Sequence, residues 1–121
     1  MSIVRADRAP RFELNGAQFT VFAGPSNGSH EVCAWRLTLP AGIDSQPHRL
    51  NRDEVFTVLS GQARVTPGGE VLRAGDSTVV PAGQPIAVAN PGDQPAELYV
   101  SIQAGFAAVT ADGEFTPPWA L

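Results

Sequence analysis

The chain has 121 residues, 43% of them hydrophobic, and a net charge of −4. That is the length of one domain, with enough apolar residues for a single core and too many for a disordered chain. All eight basic residues are arginines, scattered along the chain, so no basic stripe marks a nucleic-acid or anionic-membrane partner and none is expected.

Residues 1–10 are mixed polar and carry no apolar signal core. No apolar run reaches membrane-spanning length. Twelve glycines and eleven prolines make turns frequent and long helices unexpected. The first predicted strand is Phe19 to Phe22, followed by "AGPSNGSH", whose Asn27-Gly28 pair reads as a hairpin turn. Glu31 to Leu39 is the next strand. It contains Cys33, the only cysteine, which rules out an internal disulfide and suits a reducing compartment. A cytoplasmic location is therefore expected. Glu54 to Leu59 follows and ends at Ser60-Gly61. Gln62 to Thr66 and Glu70 to Arg73 flank Pro67-Gly68-Gly69 as a hairpin. Ser77 to Val80, Ile86 to Ala89 and Ala96 to Gln103 complete the series. Short strands at this spacing predict an all-β sandwich or barrel.

Several strands are apolar on both faces. Phe56 and Val58 fall on one side of their strand, Val55 and Leu59 on the other. A sheet with one face in water alternates more cleanly, so one face is expected to line an enclosed cavity. The tail "FTPPWAL" holds two prolines and cannot continue a helix. Its Phe115 and Trp119 need burial against the barrel or a neighbouring chain.

Eight positions form a spaced pattern. Gly42 precedes His48 by six residues, Glu54 lies six further on, and Gly61 seven beyond that. Gly75, Pro81, Gly83 and Asn90 form a second group. Both resemble the two motifs of the cupins, with motif 1 at about 42–61 and motif 2 at about 75–90. The resemblance implies a double-stranded β-helix, or jelly-roll barrel, as a single domain spanning 1–121. It also implies a small-molecule cavity and a homodimer. Metal-binding cupins hold the metal with three histidines and the glutamate. Here the second and third histidine positions are Leu50 and Ile86, which have no donor atom. The metal motif is degenerate, and no cofactor is expected. If a divalent metal is bound, His48 and Glu54 are its ligands, with Cys33, Gln46 or His30 as further candidates.

The candidate catalytic residues are His48 and Glu54. His48 would move a proton, with Glu54 setting its charge and tautomer. The candidate substrate-binding residues are Trp35, Gln46, Leu50, Phe56, Ile86, Val88 and Tyr99. For Tyr99 the phase of the last strand is open: either Tyr99, Ser101 and Gln103 point inward, or Leu98, Val100 and Ile102 do. The leading functional reading is a small-molecule-binding cupin acting as a metal-independent acid–base enzyme of isomerase, cyclase or lyase type. The alternatives are a binding or sensor module without turnover, and a metal-dependent, oxygenase-like cupin with an altered ligand set. Solvated surface is the default for Arg36, Arg49 and Arg52, which could otherwise meet a ligand carboxylate at the rim.

Overall fold

The structure is a computed structural model that describes residues 1–121. It is nearly all β. In chain order the strands are β1 (Arg11–Leu14), β2 (Ala17–Ala23), β3 (Val32–Leu39), β4 (Arg49–Leu50), β5 (Glu54–Ser60), β6 (Gln62–Ala63), β7 (Leu72–Arg73), β8 (Ser77–Val80), β9 (Ala96–Gln103), β10 (Ala108–Thr110) and β11 (Gly113–Phe115). Six of them form one antiparallel sheet in the order β1-β2-β3-β9-β5-β8. The late strand β9 lies between β3 and β5, a non-sequential order typical of a jelly roll. No helix is long and apolar enough to cross a membrane.

The opposing layer contains β11-β10-β4 and continues through less regular segments. His48 bridges Ile86, and Ala89 bridges both Asp44 and Arg64. Ile86 to Ala89, predicted as a strand, is thus extended and hydrogen-bonded on both sides without forming a regular ladder. One reason is local. The Val88 amide donates to the Ser45 hydroxyl at 2.8 Å, so a side chain takes the place of a backbone partner. The predicted hairpin around Pro67 is shorter than its sequence implies. Only Gln62–Ala63 and Leu72–Arg73 pair, because Arg64 turns away to pair with Ala89.

The Asn27-Gly28 expectation is corrected. β2 and β3 are joined through a turn of 3-10 helix at Pro25–Asn27, with Gly28 at φ 93° after it. The Asn27 side chain accepts from the Gly24 amide at 2.8 Å and donates to the Phe22 carbonyl at 3.1 Å. It caps a helical turn instead of sitting inside a two-residue hairpin loop.

The motif residues outside the cavity hold corners. Gly61 has φ 77°, and a Cβ there would lie 2.7 Å from the Pro95 carbonyl oxygen. Both the conformation and the space require glycine. Asn90 is fully buried. Its amide donates to the carbonyls of Leu39 (3.1 Å) and Gln94 (2.8 Å), and its oxygen accepts from the Gly92 amide (2.9 Å). One side chain thus satisfies three backbone groups where the chain turns into β9.

The core lies between the two layers. Burial settles the phase of β9: Leu98 and Val100 are 0% exposed, whereas Tyr99 is 38% exposed. Leu98, Val100 and Ile102 therefore face the core, and the expectation that Tyr99 lines the pocket is overturned. On the outer face Tyr99 instead stacks near Phe22, with ring centroids 5.8 Å apart.

Candidate active site in the barrel cavity

A cavity of about 560 Å³ opens between the layers, and 15 of its 24 lining residues are hydrophobic. That volume and lining suit a small organic molecule. His48 and Glu54 both line it, as do Trp35, Gln46, Leu50, Phe56, Ile86 and Val88. Strand alternation explains the grouping. Glu54 and Phe56 are two apart on β5, and His48 and Leu50 are two apart around β4, so each pair shares a face. The His48–Ile86 bridge is closed by two backbone hydrogen bonds of 2.9 and 2.7 Å. It sets Ile86 directly across from His48.

Glu54 is only 4% exposed. Burial pushes its carboxyl up to about 8, and no hydrogen bond or charge offsets that effect. At neutral pH the group is therefore a carboxylic acid, able to donate a proton into the cavity. Burial also lowers His48 below the usual imidazole range, an effect weakly opposed by its contact with the Gln46 backbone. Nδ1–H donates to the Gln46 carbonyl oxygen across a long 3.5 Å. That contact favours the neutral tautomer with its proton on Nδ1 and its lone pair on Nε2.

The two groups do not form the expected dyad. The hydrogen-bond contact of the His48 ring is with the Gln46 backbone and its shift comes mainly from burial, with no contribution from Glu54. The cavity instead holds a neutral acid and a neutral imidazole, neither perturbed by the other.

The residues present do not fit a cupin metal centre. Leu50 and Ile86 supply no donor, and no three His, Cys, Asp or Glu side chains come together as a metal-holding group. The further ligand candidates do not repair the set. Cys33 is buried away from the cavity, where its thiol faces the Ala120 carbonyl at 3.8 Å and burial pushes its pKa up. His30 is exposed and outside the cavity lining. Gln46 lines the cavity, but a single amide oxygen leaves the site short. Arg36, Arg49 and Arg52 also lie outside the lining. Arg36 sits over the outward Phe22 ring, and Arg49 donates to the Gly83 carbonyl at 2.6 Å.

Sequence reasoning missed one wall. Phe19 on β2, Phe106 after β9, and Phe115, Pro117 and Trp119 of the tail all line the cavity. Trp119 stacks on Phe19 with centroids 3.7 Å apart and planes 9° from parallel. The need to bury Trp119 was legible in the tail, but its site depended on a fold-back that no local pattern encodes. Phe115 stays half-exposed at the cavity's edge.

With the barrel and cavity in place, comparison assigns the class. Residues 35–102 match the cupin domain family. The chain belongs to the cupins. Among solved structures, an RmlC-like cupin from Shewanella frigidimarina aligns at TM-score 0.71 and 20% identity, over 85% of this chain and 90% of that one. The polyketide cyclase RemF from Streptomyces resistomycificus aligns at TM-score 0.74 and 14% identity, over 85% and 79%. KdgF from a Halomonas species aligns at 0.68 and 21%, over 84% and 94%. At these identities the likeness is one of fold. No curated protein matches the chain in sequence.

Proposed function

We propose that this cupin binds a partly apolar, oxygenated small molecule and, without a catalytic metal, moves a proton on it in an isomerisation, cyclisation or elimination. The observation that carries the reading is Glu54: a buried acid on the cavity wall, with nothing in the protein to neutralise or bond it. Burying such a group is costly and easily removed by mutation. A ligand that accepts its proton gives it a use. The likeness to a polyketide cyclase accords with a cyclising reaction.

The proposed step balances within the cavity. Glu54 gives its proton to a substrate carbonyl oxygen while Nε2 of His48 takes one from the adjacent carbon. An enol forms, leaving a carboxylate and an imidazolium. In a conjugated substrate the imidazolium returns its proton to the far carbon of the dienol while the carboxylate takes back the hydroxyl proton, which isomerises it. Where the enol carbon attacks a second carbonyl instead, the ring closes as the imidazolium protonates the new alkoxide and the carboxylate takes back the enol proton. The apolar walls keep water from competing. A homodimer is supported by the exposed Val32, Val79 and Tyr99 on the outer face of the large sheet. The free Cys33 thiol accords with a cytoplasmic setting.

The test needs no knowledge of the natural substrate. In D₂O the protein should accelerate exchange of the protons beside the carbonyl of β-tetralone, followed by NMR. His48→Ala and Glu54→Gln should each lower that acceleration by about 10²-fold or more. Unchanged exchange in both variants sinks the proton-transfer reading. A ring ketone that binds and never exchanges points instead to a binding module.

A further inference from the structure

We infer that the cavity selects an uncharged, flat, ring-containing molecule that presents a single carbonyl or hydroxyl oxygen to Glu54 and His48. This rests on the proposed site and names the class of ligand that the site accepts.

The flatness comes from the aromatic lining. Phe19, Trp35, Phe56, Phe106, Phe115 and Trp119 reach the cavity from separate parts of the chain. Trp119 lies flat on Phe19, Trp35 stands edge-on to Trp119 at 6.4 Å, and Trp35 stacks near Phe106 at 6.2 Å. Faces and edges are thus both offered to a ligand. A flat ring system makes offset or edge-to-face contacts with such walls, which a flexible aliphatic chain does not.

The lack of charge follows from what the lining omits. The chain has eight arginines and no lysine, and none of the eight lines the cavity. A carboxylate or phosphate would be desolvated with no cation to meet it, beside Asp44 and Glu54. An organic cation could use the aromatic faces. Asp44, however, is exposed and could pair with a cation only in contact with water; to gain a buried ion pair the cation would first have to ionise Glu54, at the expense of the donor that a carbonyl oxygen requires. The single-oxygen handle follows from the polar groups. Asn15, Asp44, Gln46 and Thr110 of the lining are exposed, and the Ser45 hydroxyl is engaged by the Val88 amide. That leaves Glu54 as the one buried polar side chain of the lining, with the His48 ring as the second polar group.

Three probes on one skeleton test the inference by calorimetry at pH 7: acetylnaphthalene, naphthoate and naphthylmethylammonium. The ketone should bind at least about tenfold more tightly than either charged analogue. Equal or tighter binding of naphthoate overturns the inference, as does tighter binding of the ammonium or failure of all three to bind. Glu54→Leu removes the buried donor, so its affinity for acetylnaphthalene should fall by about tenfold, and an unchanged affinity overturns the oxygen handle. Retained selectivity without any tetralone exchange would leave the ligand class standing while the catalytic reading fell. Exchange activity with no preference for the neutral probe would do the reverse.

Discussion

The cavity has two unlike walls. One spans both layers, with β4 and the segment around Ile86 on one side and β5 on the other, and it carries His48, Leu50, Glu54 and Phe56. Backbone hydrogen bonds hold it, including the paired bonds between His48 and Ile86. The other is made by β2 and the tail at 115–121. It is held by the Phe19–Trp119 stack, by Ser26 bonding to the Leu121 carbonyl, and by the long thiol contact from Cys33 to Ala120. On the first wall, main-chain register decides where each side chain points. On the second, the ladders to β1 and β3 fix β2, and side-chain packing on it helps decide where the tail goes. Glu54 and His48 sit on the wall whose geometry the backbone enforces, and the second wall shapes the space they face.

The largest consequence concerns the first wall and pH. Burial raises the Glu54 carboxyl from 4.5 to about 8 in the folded protein. Below pH 4.5 the group is protonated whether the chain is folded or not, and it costs nothing on this account. Above 4.5 the unfolded chain gains by ionising while the folded one does not, so stability falls as pH rises. The loss is complete above about pH 8, at on the order of 4–5 kcal/mol. Urea unfolding at pH 5 and pH 9 should show this decline, and Glu54→Gln should remove most of it. A parent protein equally stable at both pH values would mean that water or a ligand solvates the acid.

The second wall should respond to packing and hardly at all to pH. Trp119→Ala removes the stack on Phe19 and part of the cavity lining. It is expected to cost about 1–3 kcal/mol, less than a fully buried tryptophan because Trp119 is only partly buried. The same variant should weaken binding of acetylnaphthalene. A melting temperature shifted without any change in affinity would confine the tail to a structural role.

The smallest effect is expected outside both walls. Tyr99→Ala lies on the outer sheet face. It should shift stability by no more than about 0.5–1 kcal/mol and leave probe affinity unchanged. An affinity loss there would mean that the outer face communicates with the cavity through β9.

Much of the fold was legible before it was seen. Ser77 to Val80 and Ala96 to Gln103 coincide with β8 and β9, and the long strands β3 and β5 begin or end within a residue of their expected limits. These segments are β-rich runs bounded by Gly, Pro or Asn, and such punctuation is local. Four short strands were missed: β1, β4, β10 and β11. Each is two to four residues long, too short for a periodic signal, and each is strand only because a partner lies beside it.

Residue order alone was enough for the all-β class, the corner positions Gly61 and Asn90, and the pairing of one histidine with one glutamate where a metal site would need more. Those features depend on residue type and spacing along a few neighbouring turns. The inward face of β9, the aromatic wall from the tail, and the separation of His48 from Glu54 needed the folded chain. A strand apolar on both faces carries no phase of its own. The stack of Trp119 on Phe19 joins residues a hundred positions apart. The protonation of Glu54 is a sum over every segment that shuts it off from water, and no local stretch of sequence contains that sum.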